Sequence, residues 1–392
     1  MGSLDGLKIL DFSTLLPGPY ATLMLADMGA EVLKIGSASK PDIVTDYPPF
    51  IEGTDISASQ AWLGRNKKTM FLNLKTKEGR DIVKELVKEY DIVMEQFRPG
   101  VMDRLGLGYE DLKVVNPAVI YCSLTGYGQT GPLRDAAGHD INYMSRSGII
   151  SHAGREDEGP SLMNFQIADI AVGSLNSVIG ILAAVNYRRN TGRGQFIDVA
   201  MMDGCVPFNS IDGAAFLVSG RQPLREGERL NGGCIYDFYK TKDGGYMSVG
   251  SLEPKFWKQF CTAIGREDLI EGSVWPENIA EVKAEIRGIF KTKTRDEWVE
   301  IFSRYDACVQ PVLDLKEALL EDEQIKAREM VVDVKLPTYE DITVKQLATS
   351  VKLRECPCEY NFAGYPAGYH TREIIEKLGL DYDELEEKEV FK

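Results

Sequence analysis

Histidine is scarce in this chain, with only three in 392 residues, at positions 139, 152 and 370. Any histidine-dependent chemistry therefore has a short list of candidates. The seven cysteines, at 122, 205, 234, 261, 308, 356 and 358, are an odd and scattered set from which no disulfide framework follows. Cys356-Pro357-Cys358 brings two thiols close, but a zinc site needs four ligands, and neither a second pair nor a histidine cluster is near. These thiols read as structural. Basic residues are in deficit, 45 Lys plus Arg against 60 Asp plus Glu, a formal net charge of −15. That excess disfavours nucleic acid and anionic membrane surfaces as partners, so an anionic ligand must meet a local basic cluster. Long apolar runs are missing as well, and the best of them, residues 170–185, reads as too short and too interrupted to span a bilayer. Met1-Gly2-Ser3-Leu4-Asp5-Gly6 carries neither a secretory nor a myristoylation pattern, which leaves the cytoplasm as the simplest address. No internal repeat is present.

What is there describes an ordinary globular chain: 44% hydrophobic residues, 37 Gly and 17 Pro. Its length exceeds the roughly 250–300 residues at which single cores stop growing, so two domains are expected. Residues 7–12 read as a buried strand, 13–19 as a Pro and Gly loop, 20–28 as a helix and 31–35 as a second strand. The alternation continues with strands at 69–74, 92–95 and 119–124 and a helix at 77–90, which predicts a Rossmann-like parallel sheet. The first turn, Leu16-Pro17-Gly18-Pro19-Tyr20, lacks the G-x-G-x-x-G spacing of dinucleotide sites. Residues 127–166 lose periodicity and predict a long functional loop. A helix at 169–189 and a strand at 196–200 follow. The polar stretch 220–228 reads as a linker into a smaller, more helical α+β domain, with a strand at 245–249 and helices at 253–264, 279–290 and 295–305. Short strands return over 331–353, then a helix at 371–377 and an acidic, solvated tail at 381–389. The predicted division is a large domain of residues 1–220 and 331–392 and a small one of 221–330.

Three residues could carry chemistry. His139 sits within the irregular segment, where it can face a cleft; its plain alternative is a loop histidine bonded to nearby backbone. Asp169 interrupts an apolar run where loop becomes helix and could be a helix cap, a base or a nucleophile. Glu253 precedes a proline at the start of a helix and could be an ordinary first-turn glutamate. These residues alone define no triad and no metal set.

Several segments add the next step: Leu16-Pro17-Gly18-Pro19-Tyr20-Ala21-Thr22 with 25–32, Phe97-Arg98-Pro99-Gly100, 126–132 and Gly192-Arg193-Gly194-Gln195. Over nearly the whole chain they resemble the family III CoA-transferase (CaiB/BaiF) superfamily. Gly138-His139-Asp140-Ile141-Asn142-Tyr143, residues 250–256 and residues 306–313 are similar to its α-methylacyl-CoA racemase branch. The resemblance implies a two-base proton transfer at the carbon beside a CoA thioester. His139 and Asp169 would flank the substrate and Glu253 would orient His139. The enolate oxygen would meet amides at the start of the Asp169 helix. No cofactor beyond the CoA of the substrate, and no metal, is implied. The CoA phosphates would meet basic positions beginning at Arg65, and the resemblance places Leu72, Asn73, Leu74, Lys75, Gln96, Phe97, Arg98 and Arg104 at the nucleotide. Where the family usually has an arginine after the second strand, this chain has Gly36-Ser37-Ala38-Ser39-Lys40, so Lys40 is its candidate replacement. The resemblance also implies an interlocked homodimer. The rival reading is a CoA-transferase that uses Asp169 as nucleophile and has no need of a second base.

Overall fold

The computed structural model describes residues 2–392; Met1, first residue of the stretch read above for targeting, lies outside them. The chain divides into two units, Met1–Ser147 with Phe165–Pro207 and Glu323–Lys392, and Gly148–Asn164 with Phe208–Asp322. The first unit is built on six parallel strands: β1 (Lys8–Asp11), β2 (Glu31–Gly36), β3 (Lys67–Phe71), β4 (Ile92–Glu95), β5 (Ile120–Thr125) and β6 (Phe196–Ala200), in the order β3-β2-β1-β4-β5-β6. This is the doubly wound order, and it reverses direction between β1 and β4.

Both faces of the sheet are covered, which explains why strand sequences such as Ile-Val-Met-Glu and Ile-Tyr-Cys-Ser-Leu-Thr are buried at every position. One face packs Leu10, Leu33, Met70, Val93 and Tyr121 against Ile374, Ile375, Leu385 and Val390, so both ends of the chain share one core. A second layer includes the helix Pro17–Asp27, opened by its own proline, and the long helical stretch Ile167–Thr191. Gly18 lets the first of these sit close: a Cβ there would lie 2.2 Å from the Ser13 Cβ. The antiparallel pair β7 (Asp237–Lys240) and β8 (Tyr246–Val249) extends to β9 (Val309–Pro311) in the second unit, packed on an aromatic core that includes Trp257, Phe260, Phe290, Trp298 and Phe302. The hairpin β10 (Val331–Leu336) and β11 (Tyr339–Leu347) belongs to the first unit.

Several expectations are corrected. Residues 148–164 and 208–220 belong with the second unit, and 323–330 with the first. The reason for the first is electrostatic: Arg155 donates to both Glu226 and Asp237, at 2.7 and 2.6 Å, and Asn231 donates to the His152 carbonyl. The irregular stretch contains a helix, Asp140–Ser147. By length and apolar composition alone, Ile167–Thr191 could cross a bilayer, contrary to the reading of 170–185; here its buried face, including Val178, Ile181 and Val185, packs in the first unit. The acidic tail is a helix, Tyr382–Glu387, followed by buried Val390 and Phe391.

Candidate active site

In a parallel sheet the crevice opens beyond the carboxyl ends of the strands, where strand order reverses. Three strand ends meet there. After β1, the fully buried Asp11 carboxylate accepts from the Ser13 amide (2.9 Å) and hydroxyl (2.5 Å) and from the Thr22 hydroxyl (2.5 Å), which fixes the turn into the Pro17 helix. Burial pushes the Asp11 carboxyl up, but Lys34 and Lys67, 3.7 and 3.6 Å away, and the hydroxyls outweigh it and hold it below the usual range. After β4, the Gln96 side chain accepts from the Gly18 amide at 3.1 Å and so ties the β4 turn to the β1 turn. After β5 the chain runs through Thr125, Gly126 and Tyr127.

These ends enclose a cavity of about 340 Å³, lined in part by Pro17, Gln96, Arg98, Tyr127, His139 and Asp169. The structure therefore brings two of the three predicted chemical residues to one cavity. His139 immediately precedes the helix Asp140–Ser147; its carbonyl accepts from the Asn142 amide (2.8 Å), and its own amide donates to Asn142 Oδ1 (3.0 Å). Tyr143, one turn on, donates its hydroxyl to the Gly138 carbonyl at 2.6 Å and meets the Tyr127 ring edge-on. Gly126 and Gly138 are required by this packing, since a Cβ at either would lie 2.4 or 2.6 Å from the Tyr143 ring.

Asp169 sits in the first turn of a wide-turned helical segment, Ile167–Ser174, which passes into the regular helix Leu175–Thr191. π-type turns of this kind favour functional positions because they offset side chains from the regular helical spacing. Ser174 locks the segment by donating to the Pro17 carbonyl at 2.6 Å and the Asp169 carbonyl at 3.1 Å. Burial, then the nearby Asp140 charge, pushes the Asp169 carboxyl up to about 6, and His139 opposes the shift. A carboxyl near 6 can both take and give a proton around neutral pH.

One expectation about this helix is corrected. Its first amides are already engaged: the Asp140 carboxylate accepts from the Asp169 amide at 3.0 Å and also bonds the Ala168 amide, while the Ile170 amide donates to the Gln166 carbonyl. They are not free donors for an enolate oxygen.

The predicted nucleotide positions divide. Arg98 is exposed and lines the cavity, and Arg104 and Lys75 are exposed near by in sequence to Phe97 and Leu74, which are half-buried. Leu72 is buried, and Asn73 bonds the C-terminal stretch through its amide, 2.7 Å from the Val390 carbonyl. Arg80 donates to the Leu74 and Lys75 carbonyls, so this turn is rigid. Lys40 is exposed in the loop after β2. Arg65 is a correction: it is 0% exposed, its guanidinium donates to both Asp27 oxygens, to Gln346 and to the Leu347 carbonyl, and its charge is neutralised inside the protein, out of reach of a phosphate. Glu253 lies in the second unit, exposed, directly before the helix Pro254–Ala263, whose Phe256 and Trp257 amides donate to its carbonyl. His370 is buried, and its Nδ1 accepts from the Thr69 amide. The cavity walls Leu15, Tyr127 and Arg134 were not anticipated as site residues; the loop composition after β1 and β5 was the only signal for them.

The profile of the family described as CoA-transferase family III matches residues 4–371. The chain is 34% identical to the human alpha-methylacyl-CoA racemase, covering 98% of this chain and 95% of that protein. It is 32% identical to the human succinyl-CoA:glutarate CoA-transferase, over 97% and 87%. A crystal structure of a CaiB/BaiF family protein from Brucella suis superposes with a TM-score of 0.84 at 31% identity, over 96% of this chain and 99% of that one. With its doubly wound sheet and the cavity at the point where strand order reverses, the chain is a member of the family III CoA-transferase (CaiB/BaiF) superfamily, and an enzyme of that superfamily.

Proposed function

We propose that the protein inverts the α-carbon of a 2-methylacyl-CoA thioester by two-base proton transfer. The observation that carries this reading is the presence, in one cavity, of His139 and an Asp169 whose carboxyl is pushed up to about 6. One base takes the α-proton as the C–H electron pair enters the enolate; the other returns a proton to the opposite face. With ionised Asp169 as acceptor, the imidazolium of His139 is the donor, and the reverse reaction exchanges these roles. An Asp169 carboxyl held near 6 can take the proton in one direction and give it in the other. Glu253 is assigned an orienting role from the resemblance. CoA is the only cofactor-like group this reading needs, with Arg98, Arg104 and Lys75 as its charged contacts and an interlocked homodimer as the working assembly.

A second reading, transfer of CoA between carboxylic acids through an aspartyl-CoA thioester at Asp169, is favoured by the family's transferases at similar identity. The two separate in deuterated water with a single epimer and no added acid. Label at the α-carbon with loss of optical purity supports the racemase. Neither label nor inversion, together with CoA moving to an added carboxylate, overturns it in favour of the transferase.

A further inference from the structure

An enolate places negative charge on the thioester oxygen, and in a partly dry cavity that charge is best met by a donor fixed before the reaction. The first amides of the Asp169 helix are engaged by Asp140 and Gln166, so the donor comes from elsewhere. Gln96 lines the cavity that holds His139 and Asp169. The resemblance places this residue at the nucleotide, whereas the cavity places it among the proposed bases. Its side-chain oxygen accepts the Gly18 amide at 3.1 Å. An N–H aimed at one end of a primary amide makes that end the oxygen, which leaves the NH2 as the free end. Among the described residues this NH2 has no hydrogen-bond acceptor, and the residue is half-buried, so its two donors stay open to a ligand.

The amide is held from both sides. Gly18 belongs to the buried start of the helix Pro17–Asp27. Glu95, the last residue of β4, accepts the Phe97 amide at 2.8 Å and so fixes the turn just beyond Gln96. β4 itself is paired with β1 and β5. Other donors of the cavity are less settled. Arg98 is exposed, Arg134 is 44% exposed with its ion-pair partner Asp135 at 3.7 Å, and Tyr143 already gives its hydroxyl to the Gly138 carbonyl. Exposed guanidiniums must order themselves on the ligand, which lowers what they contribute to an oxyanion. A neutral amide already fixed by a hydrogen bond loses little.

We propose that Gln96 is a catalytic residue whose side-chain NH2 donates to the thioester carbonyl oxygen and stabilises the charge that oxygen gains in the reaction. As one base takes the α-proton, the C–H pair becomes the carbon–carbon π bond and the carbonyl π pair moves onto oxygen, where the N–H···O hydrogen bond strengthens with no proton passing. Return of a proton to the opposite face restores the carbonyl. This rests on the reading of the cavity as an acyl-CoA site; were Asp169 to attack as a nucleophile, the same NH2 would meet the tetrahedral oxyanion.

The test is isotope-edited infrared spectroscopy at pH 8 of 2,2-dimethylpropanoyl-CoA, carbon-13 labelled at the thioester carbonyl, bound to the full chain. This thioester has no α-proton and stays in its ground state. The carbonyl band is expected at lower wavenumber in the parent complex than in the free thioester, and to return toward the free position in both Gln96→Met and Gln96→Glu. Gln96→Glu keeps an acceptor for the Gly18 amide and loses the donors. A residue that merely ties the two turns would therefore keep the shift in Gln96→Glu and lose it in Gln96→Met, and that outcome overturns the proposal. So does an unshifted band in the parent, or a shift kept in both variants, which would assign the oxygen to another donor. For α-proton exchange in 2-methylbutanoyl-CoA, kcat in Gln96→Met is expected to fall by about 100-fold or more with KM changed far less, and an unchanged kcat also overturns the proposal. Melting of each variant separates a folding defect from a catalytic one; if Gln96→Met fails to fold, the parent's shift and that of Gln96→Glu still decide. Absence of thioester binding to the parent overturns the acyl-CoA reading and the proposal with it. A band shift that depends on Gln96, in a parent that moves CoA to an added carboxylate without α-proton exchange, overturns only the racemase reading.

Discussion

The Asp140 carboxylate accepts the backbone N–H of Asp169 at 3.0 Å. The residue beside one proposed base in sequence thus holds the helix that carries the other, and its charge raises the proton affinity of that second group. Position and acidity are linked through one side chain. Asp140→Asn keeps an acceptor oxygen for the amide and removes the charge, so the Asp169 carboxyl falls toward its ordinary value. The acid limb of the pH–rate profile for α-proton exchange is expected to move to lower pH. Asp140→Ala also leaves two amides without their partner, and kcat is expected to fall by about tenfold or more. A profile unmoved in Asp140→Asn would show that the charge does not reach the reacting group.

The Asp169 carboxyl bears on stability as well as on rate. Its folded value, about 6, lies above the ordinary value of 3.8. Between those two pH values the folded state binds more protons than the unfolded one, so this group favours folding at low pH and its contribution is lost as pH rises through 6. At pH 8 it is a charge held in a partly dry site. Asp169→Asn is therefore expected to abolish activity while raising stability at pH 8 by about 1–2 kcal/mol, after allowance for its partial exposure, with little gain at pH 4. Urea denaturation at the two pH values checks this.

Arg65 gives the opposite expectation to a ligand contact. It and Asp27 are both fully buried, and the Asp27 carboxylate also accepts from Asn66 and Thr349. Removing the guanidinium strands a buried carboxylate. Arg65→Met is expected to cost about 3–5 kcal/mol in chemical denaturation. Where the variant remains folded, its CoA affinity should be unchanged within about twofold. A selective loss of CoA binding with normal stability would restore Arg65 to the ligand site.

β4 was legible because a strand covered on both faces needs an uninterrupted apolar run; it and the edge strand β6, where Phe196 and Asp198 are exposed, appear at the bounds their sequences predicted. Boundaries set by tertiary contacts were not. Thr69–Leu74 reads as a strand by composition, but the ladder with β2 begins at Lys67, a buried lysine whose ammonium is satisfied by the Pro19 carbonyl and the Thr22 hydroxyl. The Asp140–Ser147 helix was hidden because only Tyr143 and Met144 are buried, while its other apolar residue, Ile141, is exposed among polar ones, so no apolar stripe marks it. His139 and Asp169 stood out as residue types in unusual contexts, and their presence in one cavity follows from the fold. Arg65 was misassigned because sequence shows a charge without showing the Asp27 that neutralises it. Asp140 was passed over because its partner is a backbone amide 29 residues away.

The C-terminal stretch makes the last prediction. Val390 is fully buried, Phe391 stacks on Tyr382, and the carbonyls of Glu389 and Val390 accept from the Asn73 side chain and amide. The stretch therefore fixes the turn that the resemblance places at the nucleotide, while Lys392 brings its carbonyl to the Ser37 hydroxyl in the loop before Lys40. Val390→Ala removes two methyl groups from a buried site and is expected to cost about 1–2 kcal/mol. If the turn holds the nucleotide as proposed, the effect on catalysis should appear as a raised KM for the CoA thioester with kcat nearly unchanged, because a contact remote from the reacting carbon would be equal in the ground and transition states. Lys392→Ala leaves the backbone contacts in place and serves as the comparison, with KM expected near that of the parent. A fall in kcat at constant KM in Val390→Ala would instead tie the C-terminal stretch to the chemistry at Asp169.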